Sequence, residues 1–513
     1  MPSADIVFIH PPSVYDFRKR AINYGLISYT VDSSSIFEWF PIGFLSLAHS
    51  LTSSGYRCMI VNLGARMLLD NDFNVEEFLK GISAKCFGIG LHWLNHAQGA
   101  VEISGILKRL HPNVPIVVGG VTASYYHDEI IKYPYIDFVI RGDSAEVPLL
   151  KLLDYFENKV SLESVPNLTW KKNNIIKINP LSHQPRLLEI QYDYEMLQRC
   201  TLGEDELENR LFNSKGQGNS FSPVIPFVRG CQNRCITCGG SNFALQRECL
   251  GVRPASSIVR DIESAQRLQP KDIVVYGDIR QGEWESYLDL LASQHAGSGL
   301  RYEFQWPASL PFLKKLAAAS PHFKVMMSPE THDEKIRTIM GRKYSNEQLE
   351  NTIQNILQVE GTILLFFMLG LPHQDHHSVY ATLNYMEYLM DKYNGIHPGV
   401  LDVHIGPLAP NIDPGSPAFA NPEAYGYKLR FRSLAEHISA SSASDWREMF
   451  NYESLVLDRF ALADISWEAA LRVLELWKKH KLIQEKAAGE LSKWLSQGSE
   501  NDRKTKSYDF FWR

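Results

Sequence analysis

The sequence has no apolar run long enough to cross a bilayer. Its most apolar window, GTILLFFMLGLP from Gly361, falls short of the roughly 20 residues a spanning helix needs. It has no excess of positive charge. Its 52 Lys and Arg against 58 Asp and Glu leave a formal charge of −6, which argues against a general nucleic-acid binder. It begins MPSADIVFIHPP, with an acidic residue and prolines where a secretion leader is basic and then apolar, so a cytoplasmic location is expected. Cysteine is scarce and odd in number, seven in 513 residues, which speaks against a disulfide framework. There is no repeat of solenoid period and no Gly-x-Gly-x-x-Gly dinucleotide fingerprint in the front part. What is present, 44% hydrophobic and 21% charged residues, is ordinary for a globular chain. The length suggests roughly three domains.

The first 160 residues alternate short apolar runs with helical patterns. Strands are predicted at Asp5–His10, Met59–Leu63, Cys86–Leu91, Ile116–Gly119 and Phe138–Arg141, each apolar without polar alternation, as in strands buried on both faces. Helices fit at Gly43–Ser54, Val75–Ile82, Ala97–Leu110, Ser124–Ile131 and Glu146–Phe156. Strand–helix units in a row imply a doubly wound parallel sheet, because parallel neighbours need crossovers. Such sheets bind ligands at the carboxyl ends of their strands. Residues 161–220 read as a hairpin and a linker, including the loop KGQGNSFSP from Lys215. A second series of units occupies 221–410. Its strands are predicted at Val224–Val228, Ile273–Tyr276, Tyr302–Gln305, Lys324–Met327, Thr362–Leu369 and Val400–Ile405, with helices at Ser256–Leu268, Asn346–Leu357 and His377–Tyr393. Six units suit an open, partial barrel. From PNIDPGSP at Pro410 the pattern turns helical over 411–513, with an amphipathic segment at Trp467–Lys479 and a polar, frayed end.

Cys58, Cys86, Cys200 and Cys249 are scattered and read as small buried hydrophobes. Cys231, Cys235 and Cys238 form C-x3-C-x2-C in FVRGCQNRCITCGGS. Three thiolates on a short loop can wrap one soft metal centre. Structural zinc normally asks for a fourth ligand. A [4Fe–4S] cluster held by three cysteines keeps one iron open to a small-molecule ligand. The loop follows the first barrel strand, at the face where barrel enzymes do their chemistry. In LPHQDHHS, His373, His376 and His377 have conceivable metal-ligand spacing, and a loop at the barrel rim explains them equally well.

C-x3-C-x2-C after the first strand of a partial barrel resembles the radical S-adenosylmethionine (radical SAM) superfamily. The resemblance implies a (β/α)6 barrel whose open iron is chelated by S-adenosylmethionine and whose chemistry starts from a 5′-deoxyadenosyl radical. It implies further contacts by position. Gly277 and Asp278 stand where the family commonly has a Gly-Gly-Glu for the methionine amino group. Ser328 and Glu330 in MMSPETHDE resemble the ribose-contacting segment, and MGRKYSNEQL the helix that follows it. Met368 and Gly370 in FMLGLP resemble the backbone segment that packs on adenine. Thr237 departs from the family, which usually has an aromatic residue before the last cysteine.

The five-unit sheet in front resembles the cobalamin-binding domain of the cobalamin-dependent subclass. The residues that carry this are His10-Pro11-Pro12, Phe40-Pro41-Ile42-Gly43, Val118-Gly119-Gly120 and Phe138–Asp143 with Glu146. Pro12, His92, Gly119, Gly120 and Gly142 are the implied cobalamin contacts; paired glycines allow close backbone approach to a flat ligand. The Asp-x-His-x-x-Gly of domains that ligate cobalt from below is absent, since the loop after the first strand reads PPSVYDF. Cobalamin held without that histidine is the expectation; His92 and His96 are open to approaching the corrin or to being satisfied helix-start or surface histidines, the second being the default for such residues. Together the resemblances imply a cobalamin-dependent radical SAM enzyme with three cofactors: a [4Fe–4S] cluster, S-adenosylmethionine and cobalamin. Methyl transfer to an unactivated carbon is the first expectation. A radical rearrangement or cyclisation is the second, and a cobalamin or redox sensor the third. An external electron donor such as flavodoxin or ferredoxin and an unidentified small-molecule substrate are implied as partners. The Arg, Trp and Tyr of RFRSLAEH and DWREMFNYES in the C-terminal cap are open to substrate contact or to plain packing.

Overall fold

The computed structural model describes residues 4–19, 26, 42–173, 175–200, 222–240, 245–247, 249–294, 299–408 and 411–496. Phe40, Pro41, most of the loop from Lys215, Pro410 and the frayed end lie outside the described residues.

The front sheet begins with Ile6–His10 (β1), Cys58–Asn62 (β2), Phe87–Gly90 (β3), Ile116–Gly119 (β4) and Phe138–Ile140 (β5), all parallel. Helices pack on both faces, so β1 is buried along its whole length. The hairpin Leu168–Lys172 (β6) and Ile175–Ile178 (β7) then pairs antiparallel on β5, so the sheet extends beyond residue 160. The spatial order is β2-β1-β3-β4-β5-β6-β7. The order reverses between β1 and β3, and in doubly wound sheets that point opens the ligand crevice.

The second sheet starts at Val224–Pro226 (β8). A short ribbon of Val228–Arg229 (β9) and Gly251–Val252 (β10) follows. Then come Ile273–Tyr276 (β11), Leu300–Phe304 (β12), Lys324–Glu330 (β13), Thr362–Leu369 (β14) and Leu401–Pro407 (β15). These six parallel strands run β15-β14-β13-β12-β11-β8, and β15 and β8 do not pair with each other. The barrel is therefore partial. Helix Arg459–Lys479 lies along β15, where Trp477 Nε1 donates to Asp402 Oδ1 at 2.7 Å, so the edge strand is covered. Local chemistry sets the helix starts: Ser345 with Gln348 and Asp375 with Ser378 each form a capping box.

After β15 the chain adds a ribbon of Tyr427–Leu429 (β16) and Tyr452–Ser454 (β17) and the helices Leu434–Ala440 and Glu485–Ser496. This region ties the two sheets together. Leu434 N–H donates to Glu129 Oε2 at 2.8 Å and Tyr126 Oη to the Arg432 carbonyl at 2.7 Å. Several residues of RFRSLAEH and DWREMFNYES are engaged in packing. Arg430 pairs with Glu448, Arg447 with Asp445, and Trp446 and Tyr452 are buried. No described helix is long and apolar enough to cross a membrane.

The two sheets are joined most directly by Arg229. Its guanidinium donates to both oxygens of Glu146, at 2.9 and 2.6 Å, and also to Ser46 Oγ and Tyr192 Oη. Both side chains of the pair are buried, at 12% and 7% exposure. Burial alone pushes the Glu146 carboxyl up; Arg229 overrides it and holds the carboxyl below its ordinary range. The pair's contribution is thus present above the ordinary carboxylate range and lost as pH falls through the lowered value. Removing one partner of such a pair strands a buried charge, so Glu146→Gln is expected to lower unfolding free energy by roughly 3–5 kcal/mol in urea denaturation. Replacing both residues with apolar ones is expected to recover most of that loss. A loss well below 1 kcal/mol for the single variant contradicts the assignment.

Candidate functional site

The cysteine loop leaves β9 through Gly230, whose φ of +97° suits glycine. It is held from several sides. Cys231 Sγ donates to Gln305 Oε1 at 3.0 Å, and Asn233 Nδ2 reaches the same oxygen at 3.1 Å. Gln232 N–H donates to Gln281 Oε1 at 2.8 Å. Gly341 packs so closely that a Cβ there would sit 3.1 Å from the Arg234 carbonyl oxygen and from Cys235 Cα. From the far side, Ala418 N–H donates to the Ile236 carbonyl at 2.9 Å and Asp413 N–H to the Thr237 carbonyl at 3.1 Å. Thr237 is buried.

None of the three cysteines is in a disulfide. Burial pushes Cys231 and Cys235 up, and burial with the nearby Asp413 charge pushes Cys238 up to about 12. Only a bound metal centre would ionise such thiols fully at neutral pH. Among the described residues no three His, Cys, Asp or Glu side chains are gathered as for a single metal ion, and His373, His376 and His377 lie exposed around a helix start. Three soft donors on one pinned loop fit an iron–sulfur cluster, with Gly240 N–H already aimed at Cys238 Sγ at 3.4 Å.

Four side chains near this loop share an unusual setting. Cys238, Asp413 and His92 are exposed, and Tyr276 is 54% exposed. Yet each behaves as a group enclosed by protein. Burial lowers His92 to about 4 and raises Asp413 to about 6, and Glu303 with burial pushes the Tyr276 phenol up. Water reaches them although protein surrounds them, as on a concave wall, and Tyr276, Cys238 and Asp413 share one such hollow, since Tyr276 feels the charge of both the others. These three face it from the barrel mouth and the segment after β15. His92 lies on the loop after β3. Asn411 Nδ2, two residues before Asp413, donates to Asn95 Oδ1 of that loop at 2.7 Å.

The barrel strands bring most of the sequence-selected residues to this mouth. Gly277, at φ +86°, donates its N–H to Glu303 Oε2 at 2.8 Å. Ser328 is half-buried on β13, and Met368 on β14. The β13–β14 register shifts between Met327 and Glu330, and Glu330 takes φ +68°. Such a bulge re-aims side chains. Glu330 is buried, with Oε1 accepting from Arg342 Nε at 3.2 Å and Oε2 lacking a hydrogen-bond partner among the described residues. An orphaned buried carboxylate oxygen suits a hydroxyl-bearing ligand.

Two further sequence-selected residues are engaged by the protein itself. Asp278 does not face the hollow: it is fully buried, both oxygens are bound by Arg280, and Oδ2 also accepts from Gln305 N–H at 2.9 Å. Gly370 is buried under Tyr452 and Leu462, and its carbonyl accepts from Tyr427 Oη at 3.2 Å, so its backbone serves packing. Glu303 is the residue that sequence reasoning missed. It alternates inward on β12 between the buried Tyr302 and Phe304, and burial raises its carboxyl against the pull of Gly277 N–H and Arg342.

In the front crevice, Gly120 has φ +125°, and a Cβ there would fall 2.4 Å from the Leu91 carbonyl oxygen. A Cβ on Gly99 would lie 1.7 Å from the carbonyl oxygen of the buried Pro12. These two contacts close-pack the loops around the switch point. Thr122 then pins the His92 carbonyl through its N–H and Oγ1, at 3.1 and 3.0 Å. Gly119 is open, with nothing nearer than 3.8 Å to an added Cβ, and Gly142 is half-buried at φ +90°. His10 is buried and held near 4 by that burial, and its ring packs 4.9 Å from that of the buried His96. His92 is thus the exposed histidine of this group. A backbone-lined crevice with a neutral imidazole at its mouth fits a flat, metal-bearing ligand.

The B12 binding domain family matches residues 30–150, and the Radical SAM superfamily matches residues 225–386. Over 209 residues the chain is 27% identical to the anaerobic magnesium-protoporphyrin IX monomethyl ester cyclase of Synechocystis, covering 40% of this chain and 38% of that protein. The match thus spans well under half of that relative's length. The fold resembles that of the radical S-adenosylmethionine methyltransferase TsrM from Kitasatospora setae, solved with cobalamin and a [4Fe–4S] cluster. Its TM-score is 0.60 at 15% identity, over 93% of this chain and 89% of that one. The cobalamin-dependent S-adenosylmethionine radical enzyme OxsB with aqua-cobalamin gives a TM-score of 0.59 at 10% identity, over 96% and 71%. At these identities the likeness is one of fold.

Proposed function

The chain belongs to the cobalamin-dependent radical SAM family, and from that premise we propose that it is a methyltransferase carrying a methyl group from methylcobalamin to an unactivated carbon of a small-molecule substrate. The cofactors of the family are a [4Fe–4S] cluster, S-adenosylmethionine and cobalamin, and when bound they supply one-electron cleavage and methyl transfer, which side chains cannot perform. The observation that carries the reading is the contact between two site-bearing segments. The segment that grips the cysteine loop and the loop after β3 are joined through Asn411 and Asn95, and both carry water-accessible side chains, which supports a substrate site between them.

In this reading Cys231, Cys235 and Cys238 hold the cluster. Glu303 accepts the methionine ammonium in place of Asp278, since its carboxylate is fixed by Gly277 N–H whereas both oxygens of Asp278 are taken by Arg280. Ser328 and the free oxygen of Glu330 take the ribose hydroxyls, and Met368 lies along the adenine. Gly119, Gly142 and His92 face the cobalamin, with the His92 imidazole kept neutral by its enclosure. Pro12 and Gly120 shape the loops behind them. The one electron enters from an external donor such as flavodoxin or ferredoxin. A second reading, a radical rearrangement or cyclisation without methylation, is favoured by the stretch shared with the cyclase.

Anaerobically reconstituted protein, given cobalamin, reductant and S-adenosylmethionine, is expected to form both 5′-deoxyadenosine and S-adenosylhomocysteine, the latter only when cobalamin is present. Deoxyadenosine alone favours the second reading. Neither product from protein with a full cluster contradicts both. Cys235→Ala is expected to lose bound iron and both products. Glu303→Gln is expected to keep its iron and to raise the Kd for S-adenosylmethionine about 10- to 100-fold, the 1.5–3 kcal/mol typical of a hydrogen bond to a charged group. An unchanged Kd with the cluster intact removes Glu303 from that role.

A further inference from the structure

We propose that Asp413 is a positioning residue for the cluster: reaching the cysteine loop from beyond the last barrel strand, its carboxylate fixes the Cys238 limb and holds the cluster's reduction potential low. This rests on reading the three cysteines as cluster ligands. It goes beyond that reading because residue 413 lies outside both matched family regions.

The geometry is that of a built contact. Gly239 N–H, next to Cys238, donates to Asp413 Oδ2 at 3.0 Å. Asp413 N–H donates in turn to the Thr237 carbonyl at 3.1 Å, so the residues on either side of Cys238 are gripped by one side chain and its own backbone. Only glycine fits at 239, where a Cβ would fall 2.4 Å from the Pro414 carbonyl oxygen and 2.8 Å from Asp413 Cβ. Asp413 is itself held in place. The buried Asn451 brackets Ile412, accepting from its N–H at 2.8 Å and donating to its carbonyl at 2.9 Å. Ser416 N–H donates to the Asp413 carbonyl at 3.1 Å.

The charge is as telling as the contact. Among the described residues no ion pair is made by Asp413, and its carboxylate accepts from the Gly239 N–H, one residue from Cys238. In an enclosed site, where screening is weak, a fixed negative charge beside the cluster opposes the addition of an electron. A strongly reducing cluster is what one-electron cleavage of a sulfonium demands. Contacts of this kind, made to ligands rather than by them, orient and tune metal centres.

The test uses the full-length protein reconstituted with iron and sulfide, as wild type, Asp413→Asn and Asp413→Glu. Iron content is measured first. The cluster is then titrated with dithionite and mediators, the reductant supplying the one electron, and the EPR signal of the reduced cluster is followed. The Asn variant retains an acceptor for Gly239 but loses the charge; it is expected to keep its iron and shift to higher potential. The Glu variant keeps the charge and is expected to stay near wild type. An Asn variant with full iron and an unmoved or lower potential overturns the proposal. So does a Glu variant that moves as far as the Asn variant. If the Asn variant fails to retain iron, the Glu variant decides: loaded and unmoved supports the proposal, loaded and shifted overturns it. Wild-type protein that takes up no iron removes the cysteine reading itself, a different failure from an unmoved potential.

Discussion

A buried ion pair between two sheets is the constraint from which the site follows. Arg229 ends the short strand that delivers the cysteine loop, and Glu146 opens the helix after the last parallel strand of the front sheet. Neither charge is stable in that setting alone, so the two domains hold each other in one relative placement. Cys231 lies two residues beyond Arg229. The position of the three thiols relative to the front crevice is therefore tied to a contact with little freedom. Arg247 reinforces the same boundary by pairing with Asp143 at 2.6 Å, beside Gly142.

A second tie comes from the chain beyond the barrel. The segment at 411–418 touches the cysteine loop through Asp413 and Ala418, and the loop after β3 through Asn411. Further on, the hydroxyls of Tyr427 and Tyr452 satisfy the carbonyls of Gly370 and Leu408, at 3.2 and 3.3 Å, at the ends of two barrel strands. The C-terminal region thus acts less as a lid than as a clamp. The enclosed character of His92, Tyr276, Cys238 and Asp413 follows from it. The meeting place of two sheets and a clamp is where a substrate can be held between two cofactors.

Much of this was legible in the sequence, for physical reasons that differ by element. Ile116–Gly119, Ala97–Leu110, Glu146–Phe156 and Thr362–Leu369 stand out because two-sided burial and helical periodicity each leave a strong local pattern. The cysteine spacing is equally local. Glu303 was not legible, since its value lies in the parallel register that sets it beside Gly277, 26 residues away. Nor was Asp413, which meets Gly239 across 174 residues from within a Gly- and Pro-rich stretch. At Asp278 position in a motif competes with a nearer signal. Arg280, two residues on, binds both of its oxygens. The aromatic and basic residues of the C-terminal region were ambiguous because packing and ligand contact use the same side chains.

The central claim is that the cluster and the cobalamin face one hollow. Its most direct test is the EPR spectrum of protein carrying both the reduced cluster and cob(II)alamin. The account predicts that each signal is broadened or split by the other, relative to protein holding one centre alone. Two sharp spectra that add without interaction would contradict it.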